Sequence, residues 1–258
     1  QSPSSAASDV YKRQPKKQSH FRLLNFNMYF RLNTAIIVPA RLASVRFPRK
    51  LLAEVSGKPL ILHTADRLND QVPEHDLFFA VDGEELGKII KNAGYEVIMT
   101  NPKLASGTDR IAEANRILGY ERVINVQADE PMVSRSHIMA LKRSMGNPAS
   151  SISTLAVLFE NEADFQNPNK IKVVVDQEGL ALYFSRSPIP FQRDFGKHQQ
   201  FGSSKHSPLK HLGMYAYSKS FLENFSKSVP TALEEIEKLE QLRAIELGYK
   251  ISVSIVSE

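Results

Sequence analysis

Four side chains that carry charge or a hydroxyl, Arg41, Ser44, Arg46 and Lys50, fall within ten residues of one another. They follow directly on Ala35 to Val38, an apolar and mostly β-branched run that suits a buried strand. Pro39 is expected to end that strand, because it has no N–H to offer a ladder. A buried strand followed at once by cations is how an α/β protein presents positive charge at the carboxyl edge of its sheet. That edge is where such folds take phosphates. A solvated basic loop is the competing reading, and the placement after a strand favours phosphate.

A second group is acidic. Val123 to Val126 reads as another buried strand and runs into Gln127-Ala128-Asp129-Glu130-Pro131. Two carboxylates at the end of a central strand, facing a cationic loop, suit a divalent ion bridging to phosphate. Mg²⁺ prefers oxygen ligands and takes one or two carboxylates from the protein. A surface turn stopped by Pro131 would explain the same residues. Between the two groups lies Ser106-Gly107-Thr108-Asp109-Arg110, with hydroxyls and a bare backbone at the start of a helix expected over Asp109–Leu118. Ser106 or Thr108 would also serve as a simple helix cap.

Pro39-Ala40-Arg41-x-x-Ser44-x-Arg46-x-Pro48-x-Lys50 resembles the amino-terminal signature of the 3-deoxy-manno-octulosonate cytidylyltransferases, the CMP-Kdo synthetases. Further motifs appear in the family's order. Ser106-Gly107-Thr108-x-Arg110 is similar to its Ser-Gly-Thr-x-Arg element. The run from Val126 to Pro131 matches Val-Gln-Gly-Asp-Glu-Pro, with Ala128 in place of Gly. Ser185-Arg186-Ser-Pro-Ile-Pro190 and His211-Leu-Gly-Met-Tyr215 resemble two more elements, and Glu237 to Arg243 matches Glu-x-Leu-Glu-Gln-Leu-Arg. The likeness runs from about Thr34 to the end of the chain. One departure stands in the first motif: the family carries Gly where this chain has Arg49. If that position needs a positive φ, Arg49 is a strained substitute.

The resemblance implies a fold, an activity and a site. The fold would be a doubly wound, mostly parallel α/β sheet of the nucleotide-diphospho-sugar transferase type, with a β-hairpin that supports a homodimer. The activity would be transfer of CMP from CTP to 3-deoxy-D-manno-octulosonate in lipopolysaccharide biosynthesis, in the cytoplasm. Pro39, Ala40, Arg41, Ser44, Arg46, Lys50, Ser106, Gly107, Thr108 and Arg110 would hold the nucleotide, with Lys50, Arg46 and Asp129 as the catalytic set. Asp129 would carry Mg²⁺. Gln127, Arg186, His211, Tyr215, Glu237, Glu240 and Gln241 would contact the sugar acid, Arg186 through its carboxylate. The family continues into a segment, Val-Asp-Thr-Pro-Glu-Asp, that supplies a second metal ligand. This sequence stops at Glu258 before any such segment and so reads as carboxyl-truncated.

Alternation of strands and helices supports a parallel sheet independently. Leu60, Ile61, Thr64, Ala65 and Leu68 have helical spacing; Leu77–Val81 reads as a strand, Glu84–Ala93 as a helix and Val97–Met99 as a strand. Ser151–Leu158 and Ile251–Val256 are further strands. Ile171–Val175 and Leu180–Phe184 form a hairpin about Asp176–Gly179. Along Lys210–Tyr217 the alternation puts His211, Gly213, Tyr215 and Tyr217 on one face; these are core aromatics if the resemblance is set aside. A helix is expected to open with a capping box at Thr231 and Glu234 and to bury Leu233, Ile236, Leu239 and Leu242. It would carry Glu237, Glu240 and Gln241 on one side. Asn161–Asn169 is an irregular connection and Asp194–Ser207 a polar loop.

Composition narrows the alternatives. The chain has 258 residues, no Cys, and seven scattered His, so disulfides are excluded and a zinc site is disfavoured. No apolar run approaches the ~20 residues of a membrane span. The net charge of +5 is held by residues 1–33, with six basic residues and Asp9; the remainder carries 27 of each sign. That segment reads as a disordered or non-native basic tail, with a superficial likeness to a transit peptide. Three other functions fit parts of the sequence. They are a cytidylyltransferase for an 8-amino analogue or sialic acid, a catalytically inactive nucleotide-binding homologue, and a nucleic-acid binder working through the tail. The neutral body argues against the last.

Overall fold

All seven residues of β1 (Thr34–Ala40) are buried, as a run of Ile and Val covered on both faces requires. The computed structural model describes residues 33–42, 49–191, 193, 201–202 and 207–257. Ser44 and Arg46 therefore lie outside the described residues, as do the tail up to residue 32 and most of the expected polar loop at 194–207. From Thr34 onward the chain forms one compact unit.

β1 lies inside a mixed sheet, between β6 and β4. After β1 come a hairpin of β2 (Glu54–Val55) and β3 (Lys58–Pro59), then α1 (Leu60–Gln71), β4 (Asp76–Val81), α2 (Glu84–Asn92) and β5 (Glu96–Met99). α3 (Gly107–Leu118) and β6 (Arg122–Asn125) come next. The second half holds α4 (Arg135–Ser144), β7 (Ile152–Leu158), α5 (Glu162–Gln166), β8 (Lys172–Val175), β9 (Ala181–Ser185) and β10 (Leu209–Ser218). It closes with α6 (Lys219–Phe225), α7 (Ala232–Glu237), α8 (Gln241–Glu246) and β11 (Ile251–Ile255). The strand order is β11-β7-β10-β6-β1-β4-β5, with β8 on β10 and β9 on β8. β6, β1, β4 and β5 are mutually parallel, β11 is parallel to β7, and β10 runs antiparallel between β6 and β7. The fold is the expected α/β arrangement about a mostly parallel sheet.

The chain leaves β1 toward β4 and β5, then returns on the other side of β1 as β6. The carboxyl ends of β1 and β6 thus flank a topological switch point, the crevice where open α/β sheets bind ligands. The loops from the cationic and the acidic motif both begin there.

Three local expectations are corrected. Pro39 does not end β1, which continues to Ala40 paired with Val81 of β4. Pairing with β6 stops earlier, at Ile37, so on that side no ladder needs the missing N–H. The helix expected after Pro230 is two helices. α7 stops at Glu237, Lys238 turns to φ 53°, and α8 starts at Gln241. Ile236 is consequently 76% exposed rather than part of a buried stripe, and Glu237, Glu240 and Gln241 do not share one helical face. The connection at 161–169 contains α5, which Asn161 caps by accepting from the Asp164 N–H at 2.9 Å. α4 has no counterpart among the elements expected from sequence; Ser134 caps it.

The turn joining β2 to β3 places Ser56 and Gly57 at φ 52° and 76°, the paired positive values of a two-residue hairpin loop. Arg49 also sits in the left-handed region, at φ 59° and ψ 27°, so the position does need what glycine gives freely. Its guanidinium forks onto the carboxylate of Glu85 in the first turn of α2. Arg49→Gly is expected to melt about 2–4 °C above Arg49→Ala, since both lose the fork and only alanine keeps the strained backbone. Equal melting temperatures in a thermal scan would mean that Arg49 carries no strain.

Candidate active site

The nucleotide motifs meet where β1 ends. Gly107 faces Pro39, and a Cβ there would lie 3.4 Å from Pro39 Cγ, in van der Waals contact. Ser106 caps α3, its Oγ accepting from the Asp109 N–H at 3.1 Å. Thr108 does not cap. It donates to Glu240 Oε2 at 2.7 Å and so ties α3 to the segment before α8. Ala40 is buried and Arg41 is exposed. Arg110 is buried, its Nη1 donating to Thr100 Oγ1 at 2.5 Å and its Nη2 lying 3.6 Å from Asp82. Burial lowers its pKa, against the pull of Asp82.

Lys50 opens a short 3-10 turn, Lys50–Leu52, and forms a direct ion pair with Asp129. The two loops of the switch point are thus joined by their charges. Thr64 of α1 donates to the Ala128 carbonyl at 3.0 Å and fixes the acidic loop from below. Glu130 stands behind, its carboxyl raised by burial and then by the Asp129 charge. Among the described residues no three His, Cys, Asp or Glu gather as a metal cage. Asp129 does fit Mg²⁺, which uses few protein carboxylates: it is an oxygen donor, over a third exposed, at the sheet edge.

Two residues before Asp129, Gln127 donates to the Gly213 carbonyl at 3.3 Å and enters a cleft of about 400 Å³. His211, Tyr215, Leu239 and Gln241 line the same cleft, and Lys170 and Lys210 reach its rim. A row of rings runs from Phe184 of β9 to His211, Tyr215 and Tyr217 of β10, with neighbouring centroids 4.9–5.7 Å apart. The shared face of His211, Tyr215 and Tyr217 therefore survives the register shift between Leu212 and Tyr215. His211 Nε2 lies 2.9 Å from Thr154 Oγ1.

Arg186 and Glu237 are placed differently. Each guanidinium nitrogen of Arg186 donates to a main-chain carbonyl, of Glu237, Pro168 or Lys238. Glu237 accepts from Ser185 Oγ and from the Arg186 N–H. Glu240 is held by Thr108 and by Arg243 Nη2 at 3.2 Å, and burial raises its carboxyl. Sequence reasoning missed Thr154, Lys172 and Arg243. The first two are buried polar residues in largely apolar strands, where a buried polar group calls for a partner.

His211 shows some surface in the cleft yet is enclosed deeply enough that burial takes its pKa down to about 3. The unfolded chain then binds the proton that the folded chain refuses. Stability from this group is constant above pH ~6.5 and falls as pH drops from there toward 3. Urea melts at several pH values should show that His211→Gln flattens this part of the profile. An unchanged slope would mean the imidazole titrates normally in the fold.

A family model described as cytidylyltransferase matches residues 35–251. A 3-deoxy-manno-octulosonate cytidylyltransferase of Geobacter sulfurreducens is 42% identical over 226 residues, 86% of this chain and 90% of that protein. An 8-amino-3,8-dideoxy-manno-octulosonate cytidylyltransferase of Shewanella pealeana is also 42% identical, over 229 residues, 87% of this chain and 90% of that protein. Among solved structures, a CMP:2-keto-3-deoxy-manno-octonic acid synthetase complexed with CTP superposes with a TM-score of 0.79. It is 34% identical, over 88% of this chain and 90% of that one. The chain belongs to the cytidylyltransferase family, among the 3-deoxy-manno-octulosonate cytidylyltransferases.

Proposed function

We propose that this protein transfers CMP from CTP to 3-deoxy-D-manno-octulosonate, releasing pyrophosphate, as a step of lipopolysaccharide biosynthesis in the cytoplasm. The observation that carries the reading is the meeting of Lys50 and Asp129 at the switch point, beside a cleft of sugar size into which Gln127, His211 and Gln241 reach. In the reaction the anomeric oxygen attacks the α-phosphorus, the bond to the bridging oxygen of the β-phosphate breaks, and the hydroxyl proton is lost. Such a displacement needs positioning and charge neutralisation more than covalent help.

Lys50 and Arg41 supply positive charge to the triphosphate; Lys50 exchanges Asp129 for a phosphate oxygen as the nucleotide enters. The α3 amino terminus, opened by Ser106 and Gly107, adds backbone N–H groups. Asp129, with Glu130 behind it, would hold Mg²⁺, which would supply charge neutralisation at the phosphates and lower the pKa of the attacking hydroxyl. Gln127, Tyr215 and Gln241 hydrogen-bond the sugar. His211 is neutral at physiological pH and serves as a hydrogen-bonding group, not as a cation.

A second sugar acid, the 8-amino analogue, is favoured by the equal identity to the Shewanella pealeana protein. A homodimer is part of the same reading. β9 is an edge strand with Leu182 58% exposed, and Phe191 beyond it is 88% exposed. Such apolar edges call for a covering partner.

Asp129→Asn preserves shape and removes the negative charge. We expect it to keep the melting temperature, because an exposed pair contributes only ~0–1 kcal/mol, and to cut pyrophosphate release by about 100-fold or more. Release at the parental rate would remove Asp129 from the chemistry. Rates with 3-deoxy-manno-octulosonate, its 8-amino analogue and sialic acid decide the acceptor. CTP binding without release for any of them would identify a catalytically inactive homologue.

A further inference from the structure

The break between α7 and α8 sets both Glu240 and Gln241. Lys238, at its centre, has φ 53° and ψ 47°, a region that a lysine keeps only when its surroundings hold it there. Arg186 does the holding. Its Nε donates to the Glu237 carbonyl at 2.6 Å and its Nη2 to the Lys238 carbonyl at 3.3 Å. Nη1 reaches the Pro168 carbonyl at 3.1 Å on the connection before β8. The contact is reciprocal, because the Glu237 carboxylate accepts from the Arg186 N–H at 2.9 Å and from Ser185 Oγ at 2.6 Å. Lys172, fully buried, braces the far side by donating to the carbonyls of Arg186 and Asn167, each at 2.8 Å.

A guanidinium that recognises a carboxylate presents two parallel N–H groups to it. Here all three nitrogens are turned onto the chain's own carbonyls, and two of these, of Glu237 and Lys238, are ones that a helix end leaves without intrahelical partners. Immediately beyond the clamped residues, Glu240 bonds Thr108 of the nucleotide motif and Gln241 enters the cleft. We propose that Arg186 is a positioning residue: it clamps the Lys238 break and so places Glu240 and Gln241, rather than binding the sugar-acid carboxylate. The kinetic arm of this inference rests on the cytidylyl-transfer reading.

The test compares Arg186→Met, Lys238→Gly and the double variant in the full chain. Hydrogen exchange over residues 237–241 is measured beside kcat and KM for 3-deoxy-manno-octulosonate. Arg186→Met should speed exchange in this segment and raise KM by about 10-fold, with a smaller change in kcat. Lys238→Gly alone should behave as the parent. Adding it to Arg186→Met should recover most of the loss, because glycine adopts the left-handed turn without a clamp. A ligand to the substrate cannot be replaced by a glycine elsewhere. If the double variant is as impaired as Arg186→Met and exchange at 237–241 stays at the parental rate, the proposal is overturned. If the parent itself releases no pyrophosphate with any sugar acid, the transfer reading fails, and the exchange data, which need no substrate, still decide the clamp.

Discussion

An ammonium and a carboxylate from loops 79 residues apart meet above the central sheet, and the site is built outward from that contact. Lys50 and Asp129 remain 46% and 38% exposed, so their attraction contributes little to folding. The sheet itself fixes their nearness. β1 and β6 are parallel neighbours paired from Thr34 to Ile37, and each delivers its loop to the same edge. In the proposed reaction these opposite charges, held together at a wet edge, would exchange each other for a phosphate and a cation.

The rest of the site is connected to this contact through main chain and short polar bonds. Gln127 precedes Asp129 by two residues and touches β10 through the Gly213 carbonyl. β10 carries His211 and Tyr215 into the cleft, with Thr154 of the adjacent β7 fixing the imidazole. On the other side Thr108 and Glu240 join the start of α3 to the start of α8. Arg243 lies over the Phe225 ring at 4.3 Å and holds Glu234 and Glu240 across the helix break. The start of α3, the acidic loop, β10 and the start of α8 are therefore connected in one frame.

Much of this frame was legible in the residues. Ile36 to Val38 and Val123 to Val126 announce buried strands because β-branched runs without polar relief have few other uses. The charged loops that come after them locate the binding edge. Rules confined to one residue travelled less well. Pro39 reads as a stop, yet one flank of the strand end lacks a partner and tolerates it. The spacing of Leu233, Ile236, Leu239 and Leu242 reads as one helix, because periodicity carries no signal for a left-handed Lys238 stabilised by an arginine 52 residues away. Arg186 has a similar ambiguity. Its fork suits a substrate carboxylate and main-chain carbonyls alike, and in the folded chain it lies on the carbonyls of Glu237, Pro168 and Lys238.

In the proposed reaction, arriving substrate replaces the Lys50–Asp129 contact. A crystal structure of the protein with CTP and Mg²⁺ measures this directly. The expected result is a parted pair, with Lys50 Nζ within hydrogen-bonding distance of triphosphate oxygens and the Asp129 carboxylate on the metal. CTP bound at a distance from this edge, with Lys50 still closed on Asp129, would contradict it.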